Sequence, residues 1–548
     1  MQDGPLRMRW KVGGSPRFLP FAVILVILVV AAGLAAAQSG TSTPRREPAG
    51  TYRRPLGNEP VSLDPARIAD VYGISVVQQI FDGLVRFDQT LAITPSLAQF
   101  WRASRDGLTW TFTLRKGVKF HHGREVTADD VVFSLTRILD PRVKSGAADA
   151  FTVIKGGAEF RDGRAKTVAG LTAVDPHTVQ IVLEEPFAGF ASLLAVRHAS
   201  IVPRDLVEQD PDRFGATPSG TGPFRFERWD RGKEIVLAAY REHFDGPPGL
   251  ARVVYRLFSG DPSDAIYEEF QRGGLDDSPL PVKNYRAAVA DPRWVYVKRP
   301  MFSVRFYGFN TRVKPLDDRR VRQALNHALD RVQLIEELSH GRFALARGVI
   351  PPGTLGFNPK LAGYAYDPAR ARELLRAAGY PEGRGLPPIE IWSSVKNDPV
   401  MREHEIVRRA FDAIGVRADF RYLPDWPQFL KKLAAGECPV FLYAWFADVP
   451  DPDSFIGKLF HSKSARNYFG YVNRAVDDAV MEARKEIDSG RRVALYRRAE
   501  QAVMDDAPLL PIFHYTYERV FQPYVKSVEV SGLGDPYIPF RKIWLDRP

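Results

Sequence analysis

The sequence predicts an α/β protein built from several structural units, on three observations. The chain is 548 residues long, its composition is 45% hydrophobic and 26% charged, and strand-like and helix-like patterns alternate along it. At roughly 100–200 residues per domain the length implies about three units. A core of that size needs no disulfide or metal to hold it. No long apolar segment follows residue 37, so the body reads as soluble.

The elements follow in chain order. Residues 1–17 are polar and basic, with Arg7, Arg9, Lys11 and Arg17 against Asp3. Phe18 to Ala37 is apolar and ends in Ala35-Ala36-Ala37 before Gln38. A basic flank, an apolar stretch and small residues at its outer end make an export signal. The stretch is also about as long as a minimal spanning helix. Residues 1–37 are therefore read as a signal peptide or, uncleaved, as a membrane anchor to the inner membrane. Residues 38–50 read as a flexible tether. In both cases the folded part is expected in the periplasm or elsewhere outside the cytoplasm.

Leu108 to Leu114 alternates with period two and reads as a strand, with Gly117 as the turn after it. Thr127 and Asp130 cap a helix whose apolar face is Val131, Val132, Leu135 and Ile138. Val179 to Leu183 and Glu234 to Leu237 are further strands. A second region opens near residue 302 with strand Ser303 to Phe309, then a helix from Asp317 with Val321, Ala324, Leu325 and Leu329 inward. Asp367-Pro368 starts another helix, with Asp as cap and Pro in the first turn, and Gly379 stops it. Strand Ile389 to Trp392, helix 399–413, strand Val416 to Tyr422, helix Arg491 to Met504 and strand Leu509 to His514 complete the pattern. No internal repeat is visible.

Composition and motifs exclude several classes. The net charge is +11, but the basic residues are scattered among acids with no basic run interleaved with aromatics, so no nucleic acid is expected as a partner. The single cysteine, Cys438, lies beside Pro439, Val440 and Phe441 and reads as a buried structural thiol. His404-Glu405 is followed by Ile406, Val407 and Arg408 rather than by a second zinc ligand. There is no nucleophile elbow and no phosphate loop, and Pro223 after Gly220-Thr221-Gly222 removes a donor from any phosphate cradle. Adjacent His121 and His122 point to opposite faces of an extended segment and have no acid or cysteine cluster to complete a metal site. No catalytic residue, metal or cofactor is expected.

Several blocks occur in one order along the chain. They are Pro60 to Pro65 with Gln79 to Leu84, then Asp106 to Pro141 (DGLTWTFTLRKGVKFHHGREVTADDVVFSLTRILDP), and Gly220 to Phe226 (GTGPFRF). Phe309 to Arg312 with Pro315 to Arg331, Tyr366 to Tyr380, and Trp445 to Phe455 (WFADVPDPDSF) follow. Together they resemble the family 5 extracellular solute-binding proteins, the dipeptide and oligopeptide binders of bacterial ABC importers. The resemblance implies a two-lobed periplasmic-binding-protein fold (a Venus flytrap) with an extra subdomain in the first lobe. On this chain it implies a first lobe over 51–300, with the subdomain at about 90–205, a second lobe over 301–515, and a return to the first lobe over 516–548. It also implies an inner-membrane ABC permease as partner and a monomer that carries a peptide or other small-molecule ligand.

Closure of two lobes needs a ligand that touches both, and a peptide ammonium needs a carboxylate. The resemblance places Asp448 in that role. Trp445, with Tyr443 and Phe446 beside it, would wall the pocket, each against the alternative of a core aromatic. Tyr72 and Gly73 match the stretch where the family's first lobe offers backbone groups to the ligand, against an ordinary helix-leading loop. Asp451 and Asp453 read as turn and cap residues. Two departures stand out. Leu442 occupies a position where some oligopeptide binders have Arg, and the loop after Trp392 offers Lys396, a point charge, where dipeptide binders have Arg. The alternatives are a membrane-tethered peptide receptor or chaperone-like binder without a transporter, and a binder of a metal chelate, haem or another non-peptide ligand.

Overall fold

Two consecutive strands carry the chain out of one sheet and into another, and two more, antiparallel to them, bring it back. In the computed structural model, which describes residues 47–547 apart from Asp261, Val282 and Asp448, strand Val295–Pro300 pairs with Thr516–Phe521. Strand Ser303–Phe309 pairs with Leu509–His514. Only Met301 and Phe302 join the outgoing pair and only Tyr515 the returning one. The Met301 amide donates to the Tyr515 carbonyl at 2.8 Å, so the ladder runs across the junction. The signal or anchor segment 1–37 lies outside the described residues, as does most of the 38–50 tether. No helix of the described residues is long and apolar enough to cross a membrane.

On one side of the crossing lies a six-stranded sheet built wholly from residues 303–514. Its order is Ala344–Leu345, Leu509–His514, Ser303–Phe309, Val440–Phe446, Ile389–Ser393, Ala418–Tyr422. The last two strands run parallel and are linked through helix Asp398–Asp412, the connection that parallel neighbours require. Period-two alternation sends Val304, Phe306, Phe441 and Tyr443 to one buried face, and Tyr307, Phe309, Val440 and Leu442 to the other. A sheet covered on both faces explains why these strands read as nearly continuous apolar runs.

On the other side, among the described residues, lie five sheets from outside that range, two of them only two-stranded. One has the order Thr51–Leu56, Arg252–Leu257, Glu234–Ala239, Phe224–Asp230. A second, antiparallel, has the order Ala98–Ala103, Thr109–Leu114, Thr178–Val182, Leu171–Asp175. A third is the three-stranded sheet that receives the crossing, with Asp277–Pro279 on the far side of Thr516–Phe521.

Local signals set the helices. Thr127 and Asp130 form a reciprocal capping box for Ala128–Leu139. Asp367 accepts from the Arg370 amide at 2.9 Å to open Pro368–Ala377, and Gly379 leaves that helix at a φ of +94°, which favours glycine. The helix expected from Asp317 starts two residues later. Asp318 is its cap, its side chain accepting from the Arg320 amide at 2.8 Å. The GTGP segment is a packing feature: the Gly222 amide donates to the Ile80 carbonyl at 2.8 Å, and a Cβ at Gly220 or Gly222 would run into that carbonyl.

Candidate functional site

Strand Val440–Phe446 positions three of the candidate residues, and alternation divides them. Tyr443 is buried in an aromatic cluster, with Trp426, Phe306 and Tyr468 at ring-centroid distances of 5.7, 6.0 and 6.1 Å. Burial pushes its hydroxyl up to about 12. Trp445, half-buried on the same face, donates from Nε1 to the Ser454 carbonyl at 2.7 Å. Phe446 points to the opposite face, is 47% exposed, and stacks on Tyr515 at 5.3 Å. An exposed aromatic therefore sits directly against the returning crossing residue.

The chain after this strand runs along the junction of the two sheet systems. The Ala447 amide donates to the Phe302 carbonyl at 2.9 Å, and Ala447 packs on the core of the six-stranded sheet. Val449 packs instead against the core of the 98–182 sheet. Asp448, between them, lies outside the described residues. Asp451 caps the short helix Pro452–Ser454, as its position suggests, and also accepts two bonds from the buried Arg492, both at 2.8 Å. Asp453 accepts from Arg484 Nε at 2.9 Å and from the Tyr496 hydroxyl at 2.9 Å. These two buried pairs anchor the loop from below. They were not legible as pairs, because the arginines lie 31 and 41 residues further along the chain.

The other candidates lie on separate elements. Gly73 is the third residue of helix Val71–Ile80, and its amide donates to the capping Asp70 at 2.7 Å. Tyr72 accepts at its hydroxyl from Asn58 at 3.2 Å. Lys396 is exposed, with Nζ 5.3 Å from the Tyr422 ring centroid. His121 is a structural residue: its Nε2 lies 2.9 Å from the Gly222 carbonyl and its Nδ1 accepts from the Gly220 amide at 3.2 Å. A carbonyl only accepts, so the proton sits on Nε2, and burial holds the ring neutral with its pKa down at about 4. No group of three or more metal-ligating side chains occurs among the described residues. Cys438 is buried, and burial pushes its thiol up to about 12.

A cavity of about 740 Å³ opens beside the same junction, a volume usual for small-molecule sites. Residues 78–96, Arg197, Pro223, Arg299 and the C-terminal segment 527–542 supply its wall. Phe87, Leu91 and Tyr537 line it and also pack against the core of the six-stranded sheet. None of the six described candidates lines it. Asp82 accepts from the Thr221 hydroxyl at 3.1 Å and lies 3.4 Å from His243 Nε2. Burial alone would raise its carboxyl, but these bonds and the Arg86 charge hold it below the usual range. Arg197, absent from the sequence-based candidates, is a buried cation in this wall. Its signal was available: it is the lone charge in the apolar run Leu193-Leu194-Ala195-Val196-Arg197.

Comparison with known proteins meets this geometry. The model of the bacterial extracellular solute-binding proteins, family 5 (middle), matches residues 92–467. A dipeptide-binding protein of Escherichia coli K12 is 31% identical over 479 residues, which cover 83% of this chain and 87% of that protein. Heme-binding protein A of Haemophilus influenzae is 30% identical over 501 residues, 87% of this chain and 89% of that one. Among solved structures, the unliganded open form of the periplasmic murein tripeptide-binding protein MppA superposes with a TM-score of 0.79 at 27% identity. It covers 91% of this chain and 98% of its own. The mixed α/β halves and their paired crossing are the two-lobed architecture of these neighbours. By sequence and by fold alike, the chain belongs to the family 5 bacterial extracellular solute-binding proteins.

Proposed function

We propose that the protein captures a peptide or similar small ligand between its two lobes, outside the cytoplasm, and hands it to an inner-membrane ABC permease without altering it chemically. Residues 51–300 with 516–548 form one lobe and 301–515 the other, and the molecule acts as a monomer. The observation that carries this reading is the paired crossing at Met301-Phe302 and Tyr515. Two short adjacent links let the halves rotate while the ladder on each side stays intact. The segment around Asp448 supports it, because its two neighbours pack on the cores of different halves.

In this reading Asp448 receives a ligand ammonium, and Trp445 and Phe446 shield it from water. Tyr443 supports the wall from within the core, and Tyr72 and Gly73 face the ligand from the first lobe. Lys396 supplies positive charge at the rim of the second lobe. A haem or chelate ligand is the second reading, favoured by the 30% identity to a protein named for binding haem. Mass spectrometry of whatever co-purifies with the exported protein tests both. A peptide population supports the first, a tetrapyrrole the second. Hydrolysis of added peptides by the purified protein would contradict both.

A further inference from the structure

We infer that Arg197 is a ligand-binding residue, and that the cavity it lines takes the carboxylate of the transported ligand. This rests on the solute-binding reading above and adds to it the chemical class of the group recognised. Arg197 is 5% exposed. Its Nη2 donates to the Ala195 carbonyl at 2.7 Å, its Nε has no partner, and no described carboxylate forms a salt bridge with it. A buried guanidinium without a counter-ion is costly unless an anion arrives.

The other charges around the cavity are largely spoken for. Arg86 pairs with Asp245 at 2.6 Å, Arg541 pairs with the same carboxylate, and Lys542 pairs with Glu529 at 2.8 Å. Asp82 is held by Thr221 and His243. Arg299 donates to the Lys298 carbonyl at 2.8 Å, has no ion pair among the described residues, and is exposed at the rim. The cavity thus presents one desolvated cation inside that no described carboxylate pairs and a second at its mouth, while the Asp88 carboxylate in its wall is held by the Thr90 and Ala92 amides. That arrangement selects an anionic group, and the planar fork of Arg197 matches a carboxylate. Val196, its chain neighbour, belongs to the same apolar core on which Val449 packs.

A peptide C-terminus and a haem propionate both supply this group, and the experiment separates them. Trialanine, trialanine amide, haem and haem dimethyl ester are titrated calorimetrically into the wild-type protein, Arg197→Gln and Arg197→Lys. For whichever pair binds, the free acid is expected to bind the wild type at least tenfold more tightly than its amide or ester. Arg197→Gln is expected to reduce that ratio to within twofold of unity, and Arg197→Lys to restore part of it. An unchanged ratio in Arg197→Gln overturns the inference. If no probe binds the wild type, the peptide and haem readings fail, and acetate replacing chloride at constant ionic strength decides the site itself. A rise in melting temperature in the wild type and in Arg197→Lys but not in Arg197→Gln supports it, and equal shifts in all three overturn it. If Arg197→Gln does not fold, the comparison of Arg197→Lys with the wild type carries the same ratio.

Discussion

His514 Nδ1 lies 2.6 Å from the carbonyl of Ser303, a bond between the last residue of the returning strand and the first of the outgoing one. The Ser303 hydroxyl in turn accepts from the Tyr515 amide at 3.0 Å. The two crossings are thus tied to each other where the chain changes sheets. Since the carbonyl can only accept, the ring carries a proton on Nδ1.

Burial lowers the His514 pKa from 6.5 to about 4. A depressed folded-state value gives stability that is present above pH 6.5 and is lost as pH falls toward 4, worth at most about 3 kcal/mol. His121 at about 4 and His404 at about 3 act in the same direction. The expected outcome is a lower denaturation midpoint at pH 5 than at pH 7.5. The loss should be smaller in His514→Gln, which keeps a donor for Ser303. Urea melts at the two pH values measure it.

Glu500 works in the opposite sense. Its Oε1 accepts from the Val349 and Ile350 amides, each at 2.9 Å, and burial raises its pKa from 4.5 to about 7. A raised folded-state value favours the fold below pH 4.5 and loses that advantage as pH rises through 7. Glu500→Gln keeps the acceptor and removes the charge. It should match the wild type near pH 4.5 and exceed it at pH 8 by up to about 3 kcal/mol. Paired urea melts across that window check the sign.

The Asp451–Arg492 pair supports the loop after Asp448 and is buried at both ends. Arg492→Ala should cost about 3–5 kcal/mol, because it leaves the Asp451 carboxylate buried without a partner. Thermal unfolding of the variant reads this. A change of a few tenths would show that the loop is held by other contacts.

Asp448→Ala should abolish binding of peptides with a free amino group while leaving the melting temperature nearly unchanged. The N-acetylated forms of the same peptides should bind the wild type as poorly as the variant binds the free ones. Calorimetric titration checks it, and unchanged affinity in the variant would remove Asp448 from the site.

Much of the fold was legible because its signals are local. The Thr127–Asp130 box, the Asp367 cap and the strands Ser303–Phe309 and Leu509–His514 depend on residues a few positions apart. Motif residues such as Arg322 and Asn326 proved to be ties of the fold. Arg322 donates to the Leu316 carbonyl at 2.7 Å, and Asn326 to the Leu509 carbonyl at 3.1 Å. What the sequence withheld is non-local. The partners of Asp451 and Asp453 lie on later helices. The cavity beside the junction gathers residues 78–96 with residues 527–542, a separation that no periodicity reveals. Arg197 could have been singled out as a charge stranded in an apolar run, but only the folded chain shows that no described carboxylate pairs with it.

The central claim is that a bound ligand draws two hinged lobes together, and small-angle X-ray scattering tests it most directly. With the ligand that co-purifies restored to saturation, the radius of gyration should fall relative to the stripped protein, and Asp448→Ala under the same conditions should show no fall. Superimposable profiles for the stripped and calorimetrically saturated wild type would contradict the account.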